Sequence, residues 1–412
     1  MQRSAASRRQ LLGALTSVVG LSCAGPAAGA TSGPALTPGA EASVPLLAGT
    51  HMLVFLPSNY RPEVKWPVIF FYHGQNGSPT TSWIRQHTDE RDYIVVGLPY
   101  LTPEGDQPEP EFANRELPNL RAARQWLAGH ASTDETRVYL GGVSKGGWAA
   151  SRLGEPELPR LAGLIMVLAG RSYPCATAPG GAAYRGKPLY VGDGETDNNM
   201  RPARQAVMFF QRQGAQVTFE EYPGLGHALP PEAPRLRTWL LAQHRYATRT
   251  AAAQAELGPW FTNAVAAARA AGEVSEKFRL ALELARDPRL YYCGPPAGAA
   301  VQSLLQEAAA RSPAREEWNA ETTYWNLLWK VATLRTPDEL RYTRDGFQQL
   351  SATCPNTRWG RLAAADYRAL ADAYDRTLAA RTNPTNSTSR SGVNARGIPV
   401  PRWSGNKIIF DR

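Results

Sequence analysis

Long hydrophobic runs are missing from almost all of this sequence. Past the first thirty residues no apolar stretch reaches the eighteen or so residues needed to cross a bilayer, so no transmembrane segment is expected. Dense lysine and arginine runs interleaved with aromatics are missing too. The formal net charge is +9, but Arg3, Arg8 and Arg9 sit at the extreme N-terminus with no acid to offset them. That pattern argues against nucleic-acid binding and leaves a mildly basic surface suited to an anionic polymer or envelope. Cysteine is scarce, with 4 in 412 residues, and apart from Cys23 only Cys175, Cys293 and Cys354 remain. An oxidising compartment permits one disulfide and leaves one thiol over. Cys293 with Cys354 is the expected pair, because both fall in the second half and would tie one helical unit together; three free thiols are the alternative. Histidine stops at His244, so the second half holds no nucleophile–base pair.

What is present begins with an address. Arg8-Arg9-Gln10 precedes the apolar run Leu11 to Leu21, and small residues follow to Ala28-Gly29-Ala30. This is the pattern of an export signal, and the paired arginines resemble the twin-arginine type. Residues 1–30 are therefore set apart as signal and 31–47 as a flexible tether rich in Gly, Pro, Ser and Ala. The expected location is periplasmic or secreted. A lipid anchor on Cys23 is the weaker alternative, because Gly20 stands where a leucine is usual.

The chain is organised around Val138 to Ser151. Val138-Tyr139-Leu140 reads as a buried parallel strand, and Gly142-Val143-Ser144-Lys145-Gly146 then places a serine between two glycines before a helical segment. G-x-S-x-G alone is weak in a glycine-bearing chain, but strand, tight turn and helix give it meaning as a nucleophile elbow. Gly142 and Gly146 are needed because side chains there would collide with the neighbouring strand and helix.

Other strands surround it. Trp66 to Tyr72 and Ile94 to Leu98 are near-continuous apolar runs, suited to strands covered on both faces. The first ends in His73-Gly74-Gln75-Asn76-Gly77-Ser78, a loop able to aim backbone N–H groups at a developing oxyanion. The expected donors are the N–H of Gln75 or Gly74 together with that of Lys145. Tyr100 to Asn114 is expected as a long surface loop, a helix from Leu117 to Leu127, and Asp134 to Arg137 as a polar turn. After Pro188-Leu189-Tyr190-Val191 the loop carries three acids, Asp193, Glu195 and Asp197. Asp197 is favoured, because a few residues are needed to bring a carboxylate under a histidine ring; Asp193 is the alternative acid. His227 follows the next strand, Gln216 to Tyr222, giving the chain order Ser144, Asp197, His227. Strand–helix alternation predicts an α/β fold with a mostly parallel central sheet over residues 48–246.

LPSNY, FFYHGQNGS, GGVSKGG, GDGETD and GLGH together resemble the α/β-hydrolase superfamily, and most nearly the secreted esterases related to polyhydroxybutyrate depolymerases, feruloyl esterases and small carboxylesterases. The resemblance spans about Ala48 to His244. It implies Ser144 as nucleophile, Asp197 as acid and His227 as base, with no metal and no cofactor. Lys145 departs from the pattern, being more charged than is usual in its slot.

Residues 247–381 read as purely helical, in six segments split by Asp287-Pro288, Gly294-Pro295-Pro296, Ser312-Pro313 and Cys354-Pro355. This appended domain is expected to pack separately near the active-site edge and restrict large substrates; an independent stalk-side domain is the alternative. Residues 382–412 form an extended tail in which Lys407 to Phe410 suits an edge strand. The expected function is an exported serine esterase acting on an ester substrate of polymeric or envelope origin. A peptidase or acyltransferase on the same triad, and a non-catalytic binding protein, are the alternatives.

Overall fold

The computed structural model describes residues 34–101, 109–171, 181–311, 314–332, 334, 336–382, 401–404 and 407–410. The expected export signal, Cys23 and Cys175 lie outside the described residues.

Eight strands make the central sheet: β1 (Glu41–Pro45), β2 (His51–Phe55), β3 (Trp66–Tyr72), β4 (Ile94–Leu98), β5 (Thr133–Val143), β6 (Gly163–Val167), β7 (Pro188–Gly194) and β8 (Gln216–Tyr222). Their spatial order is β1-β2-β4-β3-β5-β6-β7-β8. β1 and β2 are antiparallel, β2 is antiparallel to β4, and every pairing from β4 onward is parallel. The chain has the α/β-hydrolase fold. Its order reverses at β3, and β5 lies beside that reversal, where loops at the carboxyl ends of the strands part to leave a crevice.

The apolar runs split by parity, because successive strand side chains point to opposite faces. Val68, Phe70, Tyr72, Leu140, Leu164 and Met166 form one buried layer. It is covered by α2 (Glu109–His130), α3 (Lys145–Glu157) and α4 (Met200–Arg212). Ile69, Phe71, Tyr139, Ile165, Val167 and Tyr190 form the other, under α1 (Ser82–Gln86) and α5 (Pro234–Tyr246). Trp239 fills the centre of that second layer at 1% exposure, and Tyr93 satisfies its buried hydroxyl by donating to the Leu240 carbonyl at 2.7 Å. A core covered on both faces is what continuous rather than alternating hydrophobic strands require.

Four local expectations change. Part of the tether is a strand: Glu41–Pro45 pairs with His51–Phe55 and closes one edge of the sheet. α2 begins at Glu109 rather than Leu117, with Pro110 and two glutamates in its first turn, a composition that favours a helix start. The polar stretch Asp134 to Arg137 belongs to β5, whose pairing with β3 shifts register between Trp66 and Val68. That irregularity accommodates the Thr136 N–H donating to Asp134 Oδ1 at 2.9 Å. Lys407–Phe410 pairs with Pro401–Ser404 in a separate two-stranded ribbon, not with the main sheet.

Among the described residues six α-helices follow α5: α6 (Ala251–Ala270), α7 (Val274–Ala285), α8 (Pro295–Arg311), α9 (Arg315–Ala332), α10 (Pro337–Thr353) and α11 (Arg358–Thr382). Thr336-Pro337-Asp338-Glu339 starts α10 with a reciprocal capping box. The proposed disulfide is absent: Cys293 and Cys354 are both free thiols. They sit in different cores, Cys293 beside Tyr246, Leu257 and Tyr292, and Cys354 against the α9–α11 cluster. Shared position in the second half of the sequence did not translate into proximity.

The helices share a core with the sheet. Met200 is buried among Tyr324, Leu328, Phe347 and Leu370, with Met208 and Phe219 packed alongside. A buried ion pair crosses the same seam. Arg201 of α4 meets Asp366 of α11 at 3.1 Å, and Tyr324 donates its hydroxyl to the same carboxylate at 2.8 Å. Asp366→Ala is expected to cost about 3 kcal/mol, because it leaves the buried Arg201 guanidinium without its carboxylate. Urea unfolding of the two proteins measures it; a loss under about 1 kcal/mol would mean the pair does not hold the seam.

Candidate active site

Ser144 stands at the junction of β5 and α3 with φ 54° and ψ −120°, a left-handed backbone that L-residues seldom adopt. The two glycines make the turn sterically feasible. A Cβ on Gly146 would overlap the Tyr72 carbonyl oxygen, and one on Gly142 would overlap the Gly146 backbone. Ser144 is fastened by its own N–H, which donates to Val167 O at 2.8 Å. Its side chain is thereby held up at the carboxyl end of the sheet.

The loops after β7 and β8 bring their residues to it. Ser144 Oγ lies 2.8 Å from His227 Nε2, and His227 Nδ1 lies 2.7 Å from Asp197 Oδ2. A carboxylate only accepts, so Nδ1 carries the hydrogen and Nε2 is left as the acceptor for the serine hydroxyl. Asp197 is 1% exposed, whereas the His227 side chain is 47% exposed. The carboxylate is sheltered and the imidazole is open to water. Asp193 is not the partner of His227; its Oδ1 accepts the Gly194 N–H at 2.8 Å.

Backbone bonds lace the two loops together. Glu195 N–H donates to Tyr222 O at 3.0 Å, Thr196 N–H to Leu225 O at 2.8 Å, and Gly224 N–H to Glu195 Oε2 at 2.9 Å. Asp197 Oδ1 takes the Asn199 N–H at 2.9 Å, and the Asn199 amide in turn donates to Leu168 O at 2.8 Å. Each carboxylate oxygen of Asp197 thus has its own N–H donor.

The loop after β3 approaches from the other side. A Cβ on Gly74 would come 3.6 Å from Ser144 Cβ, so Gly74 flanks the serine closely. His73 is bonded back onto this loop, its Nδ1 2.7 Å from Gly74 O, and Tyr100 donates to His73 O at 2.9 Å. Lys145 is the first residue of α3, where backbone N–H groups have no intrahelical acceptor, and its Nζ sits 4.7 Å from the Tyr100 ring centroid. Burial pushes the Tyr100 hydroxyl well above its ordinary range, with Glu116 adding to the effect, so it stays a neutral donor.

Sequence reasoning missed Arg358. From the start of α11 its Nη1 reaches Glu221 at 2.8 Å and Glu195 at 3.3 Å, tying the helical half to the acid-bearing loop. Nothing near Arg358 in sequence marks it, because its partners lie on the loop after β7 and on β8. A groove of about 1660 Å³ runs along this seam, lined by β8, Trp318, Trp325 and Trp359 among others, but Ser144, Asp197 and His227 are not part of its wall. The Ser144–His227–Asp197 relay thus lies apart from this groove. Among the described residues no group of three His, Cys, Asp or Glu is arranged to hold a metal ion, and no helix is long and apolar enough to cross a membrane.

No family model matches the chain. A probable dipeptidyl-aminopeptidase B of Penicillium rubens is 29% identical over 116 residues, which is 24% of this chain and 12% of that protein. The chain thus matches about an eighth of that relative's length. Among solved structures, a carboxylesterase from Mesorhizobium loti is 17% identical with a TM-score of 0.39, over 48% of this chain and 98% of that one. A thermostable esterase is 18% identical with a TM-score of 0.36, over 45% of this chain and 54% of that one. Each likeness covers less than half of the chain.

The backbone at Ser144 yields a stability prediction. Glycine tolerates a positive φ without steric cost, whereas alanine retains it. Ser144→Gly is expected to be about 1 kcal/mol more stable than Ser144→Ala in urea unfolding. Equal midpoints for the two would show that the turn stores no strain.

Proposed function

We propose that this protein is a serine hydrolase that cleaves carboxylic esters through an acyl-enzyme. The observation that carries the reading is the continuous relay from Ser144 Oγ through the His227 ring to the buried Asp197 carboxylate, with contacts of 2.8 and 2.7 Å. Ser144 Oγ attacks the ester carbonyl carbon as its proton passes to His227 Nε2. Negative charge gathers on the carbonyl oxygen, opposite the N–H of Lys145 and that of Gln75 or Gly74. Collapse of this tetrahedral species breaks the bond to the alcohol oxygen, and His227 hands it the proton. Water then attacks the acyl carbon while His227 takes a proton from it, and a second collapse frees the acid and returns the proton to Ser144.

Asp197 holds the histidine tautomer and offsets the imidazolium charge in each half-reaction. The open face of His227 supports water as the acceptor, which favours hydrolysis over acyl transfer. The motif resemblance supports an ester over an amide, and the leader composition supports export. In this reading the helical half braces the acid-bearing loop through Arg358 and supplies no reacting group.

A fluorophosphonate probe and a short-chain aryl ester test the reading together. The parent is expected to label and turn over, Ser144→Ala to lose labelling, and Ser144→Ala, His227→Ala and Asp197→Ala each to lose about 10⁴-fold or more in kcat. Turnover undiminished in Ser144→Ala would overturn the assignment. Preference for the matching aryl amide would make the enzyme a peptidase. Absence of labelling in the parent would leave a binding protein on a hydrolase fold.

A further inference from the structure

The relay makes no use of a second buried carboxyl at the end of β7. Asp193 is wholly buried. Gly194 N–H donates to its Oδ1 at 2.8 Å, while among the described residues no donor reaches Oδ2. The Asp197 carboxyl lies across the tight turn closed by its own N–H donating to Gly194 O at 3.0 Å, and it acts directly on the Asp193 carboxyl. Two carboxylates in contact away from water do not both ionise; one keeps a proton and donates it to the other.

Among the described residues no cation is paired with Asp193. On β8 its register partner is Glu221, and Tyr222 lies near with its hydroxyl 3.0 Å from that of Tyr190. Arg204 from α4 and Arg358 from α11 spend their charge on Glu221, at 3.3 and 2.8 Å. His227, from the loop after β8, meets Asp197 and not Asp193. The donors decide which acid keeps the proton. Asp197 is held as an acceptor by the Asn199 and His227 N–H groups, whereas Asp193 has the single Gly194 N–H.

We propose that Asp193 is a protonated carboxylic acid around neutral pH that donates its hydrogen to Asp197 and fixes the tilt of that carboxylate under His227. It is a positioning residue, and the assignment rests on the serine-hydrolase reading above. Burial first, and the Asp197 contact next, push Asp193 up to about 9. Unfolded, the same group releases its proton near pH 4, at about the ordinary aspartate value. Between those values the folded state holds one proton more than the unfolded state. Stability from this group is therefore full below the unfolded value, falls as pH rises, and is lost above about 9.

Asparagine is the neutral mimic, since its Oδ1 still accepts the Gly194 N–H and its amide donates to Asp197 at every pH. The experiment follows kcat and KM on a short-chain aryl ester for the parent, Asp193→Asn and Asp193→Ala across neutral to alkaline pH, with melting temperatures over the same range. Asp193→Ala is expected to lose on the order of a hundredfold in kcat with KM little moved, as for a misplaced catalytic group. Asp193→Asn is expected to recover most of that loss, to lack the parent's alkaline fall in rate near about pH 9, and to melt with a shallower decline as pH rises. An unchanged alkaline limb together with unchanged melting slope in Asp193→Asn, or an asparagine variant no better than alanine, would overturn the proposal. A parent that takes up no fluorophosphonate overturns the functional reading instead, and the melting slopes then decide by themselves whether Asp193 holds the proton.

Discussion

Everything at this site depends on how closely three pieces of backbone approach one another. β3, β5 and the first turn of α3 meet where Gly146 passes the Tyr72 carbonyl and Gly142 passes Gly146, with no room for a Cβ at either position. That contact lets the chain leave β5 and enter a helix within one residue. It also forces Ser144 to a positive φ, and it brings Gly74 of the β3 loop alongside. The half-buried serine is held at the carboxyl edge of the sheet because the backbone beneath it is too crowded to take it elsewhere.

The second constraint is that three loops from different strands must hold their ends within hydrogen-bonding distance. The loops after β7 and β8 solve this by bonding to each other through Glu195, Thr196 and Gly224, so that the two loops bearing Asp197 and His227 are tied together. Arg358 extends that tie into the helical half by pairing with Glu195 and Glu221. The buried Arg201–Asp366 pair and the Met200 contacts anchor the same seam further along α11. The helices are therefore part of the site's support, although their sequence carries no histidine. Polar groups at this seam are costly to bury, and Arg201–Asp366, Arg204–Glu321 and Arg358–Glu221 pair them across it.

The central strands were legible because each is a continuous apolar run, and a strand covered on both faces needs that pattern. The elbow was legible because its chemistry demands glycine at two fixed offsets from serine. Asp197 and His227 were legible from chain order and from their place after late strands. β1 was hidden in a stretch whose small residues and prolines read as tether, since an edge strand needs only a partner, here β2. The start of α2 was hidden by Pro110 and Pro118, which read as loop residues until a helix is seen to carry them.

What the sequence by itself determined is what local chemistry and periodicity encode: a doubly covered parallel sheet, a serine on a strained turn, an acid and a histidine after later strands, and a purely helical second half. What only the tertiary structure decided are the pairings between distant segments. Cys293 and Cys354 proved to lie in separate cores, Asp193 was placed against Asp197, and Arg358 was carried to the acid-bearing loop from 163 positions further along the chain. The reason is physical. Periodicity records which face of an element is buried, whereas the partner on the other side of that face is chosen by how whole elements pack.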